Sequence, residues 1–184
     1  LYHLVKKGWT ECVLIERKEL TSGSTWHAAG LLPLFNMSYS VGQIHKYSVD
    51  LYGRLEEETG QYAGLSRVSN IRLATTQDRM DEYKQYAGVA QTIGVQVDIL
   101  TPDEVVDMWP LAVKDNLIGA IRHPMDGYIQ PADLTQALAK GARDIGGQIY
   151  RNTNVTAITR TTSGEWKITT DKGEIICEHV VLSL

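Results

Sequence analysis

The sequence predicts a mixed α/β (α+β) fold, in which parallel and antiparallel strands alternate with amphipathic helices. Three observations favour this class. The apolar run at residues 13–15 (Val-Leu-Ile) has the pattern of a parallel strand that is covered on both faces. Helical and strand-like periodicities then follow one another through most of the chain. Finally, residues 171–173 (Asp-Lys-Gly) separate two short apolar runs, which predicts an antiparallel hairpin with a positive-φ glycine.

Composition narrows the classes of partner. The chain has 184 residues, of which 43% are hydrophobic and 22% are charged, as in an ordinary globular protein with one domain and part of a second. A net charge of −4 argues against nucleic acid or an anionic membrane as the main partner. No apolar run approaches the ~20 residues that span a bilayer, and the first residues lack a signal-peptide layout. Cys12 and Cys177 are too scattered for a metal site and suit a reducing compartment.

The first two elements are expected to be the second half of a βαβ unit. Leu1, Leu4 and Val5 share one helix face, and Gly8 is a stop signal before the strand at residues 11–16. The preceding strand and its phosphate-binding glycine loop are therefore expected upstream of Leu1. Because that loop holds a pyrophosphate in such folds, we expect this fragment alone to bind a dinucleotide poorly or not at all.

Further helices are predicted from apolar spacing and from end signals. They cover residues 41–59, 78–93, 102–109 and 131–145. Gly60 and Gly94 end the first two, and Thr101 with Glu104 forms a capping box for the third. The residues expected to face inward are Ile44, Tyr47, Leu51 and Leu55 in the first, Met80, Tyr83, Ala87 and Ala90 in the second, and Leu134, Leu138, Ala142 and Ile145 in the last.

The remaining strands are predicted from alternation and from short apolar runs. They cover residues 68–75, 95–100, 117–121, 148–150, 155–158, 166–170, 174–177 and 179–182. Asp126-Gly127 is a turn signal. The irregular apolar segment at residues 31–35 is expected to form a wall of a ligand pocket.

The candidate site begins where the first strand ends. Glu16 stands where a carboxylate accepts hydrogen bonds from a ribose in dinucleotide-binding sheets. Residues 22–25 (Ser-Gly-Ser-Thr) are small and hydroxyl-bearing, so their backbone can approach a pyrophosphate. Trp26 and His27 then interrupt small residues that resume at position 28. We interpret the stretch as half of an FAD site. The alternatives are that Ser24 and Thr25 cap a short helix, and that Glu16 and Arg17 are solvated surface charges.

These residues resemble those of the dimethylglycine and sarcosine dehydrogenase family, within the D-amino-acid-oxidase-like flavoproteins. The resemblance rests on the ordered strand, acid, hydroxyl loop and Trp-His pair at residues 16–31, and it continues through most of the chain. The further matching motifs are Ile44-His45, residues 55–60, residues 72–76 and Asp126-Gly127. Ala28 favours the dimethylglycine branch over the sarcosine branch.

The resemblance implies a split Rossmann-type FAD-binding domain with an inserted antiparallel-sheet substrate domain. Residues 1–35 and 126–184 would belong to the former and residues 36–125 mainly to the latter. His27 would carry the flavin covalently, Glu16 would hold the ribose, and Val155 would offer its backbone to adenine. The other implied cofactor-binding residues are Arg17, Gly23, Ser24, Thr25, Trp26, Ala28, Ala29, Gly30 and Leu31. In place of the family's small-residue turn, the chain has Leu182-Ser183-Leu184, which truncation or a frameshift would explain.

The activity implied is that of an FAD-dependent amine dehydrogenase that oxidises an N-methylated glycine, such as dimethylglycine, by hydride transfer to flavin. Electrons would pass to an electron-transfer flavoprotein or to oxygen, and tetrahydrofolate would bind only through a C-terminal module outside this chain. The location would be cytoplasmic in a bacterium or the mitochondrial matrix in a eukaryote. The alternatives are sarcosine dehydrogenase, another N-methyl amino-acid oxidase and a non-catalytic regulatory paralogue. No catalytic acid or base is legible, and the histidines have no metal-ligand spacing.

Overall fold

The computed structural model describes residues 1–183, so the expectation that involves Leu184 lies outside the described residues. Backbone contacts divide the chain into two units. The terminal unit comprises Leu1–Ala28 and the chain from Thr135 onward, and the central unit comprises Ala29–Leu134. Strands in both parallel and antiparallel pairs, together with helices, confirm the predicted mixed α/β class. None of the helices in residues 1–183 is both long and apolar enough to cross a membrane.

The terminal unit contains a two-stranded parallel sheet and a three-stranded antiparallel sheet. Its elements are α1 (Tyr2–Lys6), β1 (Val13–Ile15), a 3₁₀ helix (Ser24–His27), most of α5 (Pro131–Asp144), β8 (Gln148–Tyr150), β9 (Val155–Arg160), β10 (Trp166–Thr170) and β11 (Gly173–Cys177). β1 pairs in parallel with β8, and the antiparallel order is β11-β10-β9. The predicted hairpin is confirmed: Thr170 pairs with Gly173, whose φ of +146° favours glycine.

Some expectations for this unit are wrong. Val13 is 41% exposed, so β1 is not covered on both faces at this position. In α1 the buried side chains are Tyr2 and Val5, whereas Leu4 is 39% exposed. The strand expected at residues 179–182 is absent, and those residues form no ladder. In α5 the buried residues are small (Ala137, Ala139, Gly141 and Ala142), and Ile145 lies beyond the helix end and is exposed.

The central unit contains two three-stranded antiparallel sheets and three helices. Its elements are β2 (Leu31–Leu32), α2 (Tyr39–Thr59), β3 (Leu65–Arg67), β4 (Asn70–Ala74), α3 (Gln77–Ile93), β5 (Asp98–Leu100), α4 (Pro102–Met108), β6 (Gly119–His123) and β7 (Gly127–Ile129). The strand orders are β2-β7-β3 and β4-β6-β5. The sequence analysis did not predict β2, β3 or β7, each of which has only two or three residues.

Local signals set the helix ends in this unit. The Ser38 and Thr76 side chains accept hydrogen bonds from the first turns of α2 and α3, while Gly60 and Gly94 end these helices with positive φ. The capping box of α4 is confirmed: Thr101 Oγ1 accepts from the Glu104 N–H, and the Glu104 carboxylate accepts from the Thr101 N–H. The Thr101 N–H and the Thr101 hydroxyl both donate to the Glu104 carboxylate, and these two hydrogen bonds lower the pKa of Glu104.

The buried faces of the helices differ from those expected. In α2, Ile44 is 64% exposed and Tyr47 is 50% exposed, whereas Val49 is buried together with the expected Leu51 and Leu55. The wrong choice arose because apolar residues lie on more than one face of this helix. In α3 the fully buried aromatic residue is Tyr86 rather than its smaller neighbour at position 87, and the other inward residues are as predicted.

Candidate functional site

Glu16 directly follows β1, and hydrogen bonds of its backbone connect it to the end of β8 and to the loop after β8. Its N–H donates to the carbonyl oxygen of Tyr150 at 2.8 Å, and its carbonyl accepts from the Thr153 N–H at 3.0 Å. Of its carboxylate oxygens, Oε1 accepts from the Lys18 N–H at 2.7 Å, and Oε2 has no hydrogen bond within the described chain. Glu16 is therefore held at the strand end with one carboxylate oxygen available to a ligand hydroxyl.

A second acidic residue ties the loop after β1 to the loop after β8. The Glu19 carboxylate accepts from Arg151 Nη1 at 2.6 Å and from Asn152 Nδ2 at 2.7 Å, and the Asn152 N–H donates to the Lys18 carbonyl at 3.0 Å. The Asn152 hydrogen bond, followed by the charge of Arg151, lowers the pKa of Glu19, so this carboxylate is ionised at neutral pH. Glu19 is not among the predicted site residues, since its partners lie 132 and 133 residues away in the chain.

The tied loops bring two predicted site residues into one region. The Thr153 N–H bonds to the Glu16 carbonyl, and Val155 starts β9 two residues later. Val155 is 38% exposed. Arg17, directly after Glu16, is exposed and forms no ion pair within the described chain. The structure thus places Glu16 and Val155 near the same edge of the terminal unit.

The hydroxyl loop and the Trp-His pair form the 3₁₀ helix of the terminal unit. Gly23 occupies its N-cap position without a side-chain cap, so the interpretation of Ser24 and Thr25 as caps is wrong. The Trp26 N–H donates to the Gly23 carbonyl, and the Ala28 N–H donates to the Thr25 carbonyl. A Cβ added at Gly23 would meet no atom within 4 Å, so open space surrounds this part of the loop.

The side chains at the end of the 3₁₀ helix point away from the body of the terminal unit. Trp26 is 78% exposed, and His27 is also exposed. The His27 imidazole makes no hydrogen bond to residues 1–183, which leaves both ring nitrogens available. The remaining predicted residue of this unit, Ala28, is extended and exposed. An accessible imidazole beside an exposed indole suits a flat aromatic ligand. The residue types and their accessibility match a flavin.

The other predicted site residues, Ala29, Gly30 and Leu31, belong to the central unit. Gly30 has a φ of +73°, and a Cβ at this position would lie 2.2 Å from the Ile129 carbonyl oxygen. The Gly30 carbonyl accepts from the Ile129 N–H at 2.7 Å, which leads into the pairing of Leu31 with Tyr128. Glycine is required at position 30 on both counts. Leu31 is 70% exposed.

A shallow cavity of about 470 Å³ lies in the central unit apart from these residues. It is lined by Val68, Ser69, Ile71, Met108, Trp109 and Arg122. The Arg122 guanidinium pairs with the Asp98 carboxylate at 3.3 Å, so its charge is balanced. None of the predicted site residues lines this cavity.

No metal centre is present in the part of the chain that the structure describes. Within residues 1–183, no three histidine, cysteine or acidic side chains could hold one ion. Cys12 and Cys177 are free thiols. The candidate site itself offers an imidazole, hydroxyl groups, a carboxylate and backbone N–H groups.

Comparison with known proteins identifies relatives over almost the whole chain. A model of the family described as FAD dependent oxidoreductase (DAO) matches residues 1–184. The mitochondrial dimethylglycine dehydrogenase of Rattus norvegicus is 39% identical over 180 residues, or 98% of this chain. The mitochondrial pyruvate dehydrogenase phosphatase regulatory subunit of Mus musculus is 37% identical over 180 residues, and the sarcosine dehydrogenase of Homo sapiens is 38% identical over 159. The chain spans about a fifth of the length of these curated relatives (21%, 20% and 17%).

Solved structures support the same relationship. The crystal structure of L-proline dehydrogenase from P. horikoshii matches 96% of this chain and 46% of its own, with a TM-score of 0.86 and 25% identity. Glycine oxidase from Geobacillus kaustophilus matches 96% of this chain and 49% of its own, with a TM-score of 0.77 and 29% identity. The arrangement of helices and strands is thus similar to that of an L-proline dehydrogenase and a glycine oxidase.

Proposed function

Because the chain belongs to the DAO family of FAD-dependent oxidoreductases, we propose that the whole protein is a covalently flavinylated dehydrogenase that oxidises an N-methylated glycine such as dimethylglycine. Within it, residues 1–35 and 126–184 would form the FAD-binding domain, and residues 36–125 would contribute mainly to substrate binding. The domain boundaries at residues 35 and 125 are part of this proposal.

The observation that carries the proposal is the local geometry of residues 16–27. A carboxylate with one oxygen available stands at the end of β1, and an exposed imidazole stands at the end of the 3₁₀ helix. These two features occur in a chain that is 39% identical to a dimethylglycine dehydrogenase.

The residues present fit an FAD group in type and accessibility. Glu16 would bind the ribose through its unpartnered oxygen, and backbone groups at Gly23, Ser24 and Thr25 would face the pyrophosphate. His27 would carry the covalent bond to the flavin ring. The remaining proposed contacts are those of Arg17, Trp26, Ala28, Ala29, Gly30, Leu31 and Val155.

When bound, FAD would supply the hydride-accepting chemistry, and the protein would supply orientation and electrostatics. The substrate would be a small N-methyl amine. An electron-transfer flavoprotein or oxygen would accept the electrons, and tetrahydrofolate would be used only through another part of the whole protein. The relatives include mitochondrial proteins and a bacterial 4-methylaminobutanoate oxidase, so the matrix or the bacterial cytoplasm would be the location.

Two specific similarities favour alternative functions. The 38% identity to sarcosine dehydrogenase favours a substrate with a single N-methyl group. The 37% identity to a phosphatase regulatory subunit favours a protein that keeps the fold without oxidising an amine. Turnover measured side by side with dimethylglycine and sarcosine decides the first point. Flavin that stays with the denatured protein would argue against the second alternative, and its absence would favour it.

The experiment for the attachment site is acid precipitation of the full-length protein and of its His27→Ala variant. We expect the wild-type pellet to be yellow and to keep its flavin fluorescence after washing, because a covalent bond survives denaturation. The His27→Ala pellet should be colourless.

A matched control is His179→Ala, which removes another exposed histidine of the terminal unit. This control should leave the pellet yellow. A yellow His27→Ala pellet would show that the flavin is attached elsewhere, and a colourless wild-type pellet would refute covalent flavinylation.

A further inference from the structure

The segment that follows the candidate cofactor residues in the central unit is fixed by two buried side chains. Oδ1 of Asp126 accepts a hydrogen bond from the Leu34 N–H at 2.9 Å, and the Tyr86 hydroxyl donates to the Leu34 carbonyl at 2.9 Å. The Asn36 N–H also faces the Tyr86 hydroxyl oxygen. Residues 34–36, hereafter the anchored segment, have no regular secondary structure, so these side chains replace the partners that a strand would supply.

The Phe35 ring packs within the same cluster. Its centroid lies 4.2 Å from that of Tyr86 and 6.0 Å from that of His123, and the Arg72 guanidinium lies 4.5 Å from it. Tyr86 and His123 are both fully buried. The aromatic contacts and the cation–π contact add to the two hydrogen bonds, so the anchored segment has one well-defined position.

Several polar atoms of this cluster have no partner among residues 1–183. They are Asn70 Oδ1, Arg72 Nε, both ring nitrogens of His123 and Asp126 Oδ2. Native proteins contain few such atoms, because each costs free energy when it is buried. Asp126 is 1% exposed, and only one of its oxygens is used. The one hydrogen bond that the buried carboxylate makes in the described chain is the bond to the Leu34 N–H.

Asp126 lies next to the strand pairing that fixes residues 31 and 32, which end and follow the candidate cofactor residues. It directly precedes β7, whose Gly127 and Tyr128 pair with Leu32 and Leu31. A Cβ at Gly127 would lie 2.0 Å from the Ser66 carbonyl oxygen, so β7 packs closely against β3 as well. The β7 backbone and the Asp126 side chain thus act on consecutive parts of the chain between residues 30 and 34.

We propose that Asp126 is a positioning residue, which uses its carboxylate to hold the anchored segment and thereby sets the path of residues 30–34 beside the flavin. This proposal rests on the proposed function, because it assumes that residues 29–31 contact the cofactor. Asp126 acts through the Leu34 backbone and does not itself touch the reacting atoms.

The charged and titratable groups around Asp126 come from every element of the cluster. They are Arg72 on β4, Tyr86 on α3 and His123 on β6, while Asp98 on β5 acts on His123. Burial raises the pKa of Asp126 to about 6, in spite of the Leu34 hydrogen bond and the Arg72 charge. The carboxyl group is therefore ionised at pH 7.5 and neutral at pH 5, and a charged acceptor holds an N–H more strongly than a neutral one.

The test is hydrogen exchange of the peptide that contains the anchored segment, in the full-length protein, for the wild type, Asp126→Asn and Asp126→Ala. Asparagine can still accept the Leu34 N–H, whereas alanine cannot. We expect Asp126→Ala to accelerate exchange about 10- to 100-fold at every pH. We expect Asp126→Asn to match the wild type at pH 5 and to exchange faster only above pH 6, where the wild-type carboxylate is charged.

The flavin absorption band provides the second readout. The band maximum should shift in Asp126→Ala, and in Asp126→Asn at pH 5 it should have the wild-type position. The control Asp115→Asn, which alters an exposed aspartate of the same unit, should leave the band unchanged. If Asp126→Ala fails to fold, Tyr86→Phe frees the Leu34 carbonyl with the ring kept in place, and about tenfold faster exchange is expected.

Two results would overturn the proposal. The first is that the Asp126 variants lose thermal stability while hydrogen exchange of the anchored segment stays at the wild-type rate. The second is that the segment exchanges faster while the flavin band does not change. A wild-type protein without flavin would instead refute the proposed function, while exchange would still report whether the segment is anchored.

Discussion

Two buried groups in the central unit have pKa shifts that oppose each other in their effect on stability. His123 is fully buried, and burial followed by the charge of Arg72 lowers its pKa from 6.5 to about 4. Asp126 is 1% exposed, and burial raises its pKa from 3.8 to about 6. Between pH 4 and 6.5 the folded protein binds fewer protons at His123 than the unfolded chain. Between pH 3.8 and 6 it binds more protons at Asp126.

The sign of each contribution follows from proton linkage. Stability rises with pH where the unfolded state binds more protons, so His123 makes the free energy of unfolding increase from pH 4 to 6.5. Asp126 makes it decrease from pH 3.8 to 6. A tenfold change in a protonation equilibrium corresponds to about 1.4 kcal/mol, so each group contributes roughly 3 kcal/mol over its window. In the wild type the two contributions largely cancel.

Single substitutions should reveal the hidden contributions. In Asp126→Asn, His123 is the one group of this pair that still titrates. Between pH 4 and 6.5 the free energy of unfolding of this variant should therefore rise by roughly 3 kcal/mol more than that of the wild type. In His123→Gln it should fall by a similar amount from pH 4 to 6, because only Asp126 titrates. Urea unfolding of the full-length protein at half-unit pH intervals measures both curves.

The comparison with wild type removes the contribution of all other titrating groups. The exposed control Asp115→Asn should give a curve parallel to wild type. Curves for Asp126→Asn and His123→Gln that also run parallel to wild type would refute the reasoning, because neither group would then titrate differently in the folded and unfolded states.

Three smaller predictions test local packing by thermal or urea unfolding. Gly127→Ala should lower the free energy of unfolding by about 2–3 kcal/mol, because the new Cβ would lie 2.0 Å from the Ser66 carbonyl oxygen. Gly88→Ala, in the interior of α3 with no atom within 4 Å of the new Cβ, should instead raise it by about 0.5–1 kcal/mol, so equal effects at the two glycines would contradict the model. Thr101→Ala should lower it by about 1 kcal/mol through loss of the bond to the Glu104 N–H, whereas Thr101→Ser should be nearly neutral.

The features that the sequence predicts well are those with short-range causes. Gly60 and Gly94 end helices through their own φ angles, and Thr101 caps a helix through a residue three positions away. The hairpin at residues 171–173 likewise depends on its own turn. In each case the interacting groups lie within one turn, so the pattern contains its own partner.

The features that the sequence misses depend on partners far along the chain. β2 and β7 have two and three residues and exist because they pair with each other across nearly a hundred positions. The buried face of α2 was chosen wrongly at Ile44 and Tyr47, since tertiary packing selects among apolar faces that periodicity alone ranks equally. In the candidate site, Glu19 was missed for the same reason: its role depends on Arg151 and Asn152.

Two motifs that are distant in the sequence form one structural feature in the central unit. Gly30-Leu31 ends the candidate cofactor segment, and Asp126-Gly127 is predicted from the sequence as a turn and as a motif shared with the family. The ladder between β2 and β7 joins them, and the carboxylate of Asp126 extends the connection to Leu34, which lies 92 residues away in the chain. A resemblance could identify both motifs without indicating that they meet. Because β7 and the Asp126 carboxylate bind the backbone at residues 31–34, a substitution at residue 126 should alter the position of the proposed flavin contacts. Its effect on the cofactor should therefore be larger than its distance in sequence from residues 29–31 suggests.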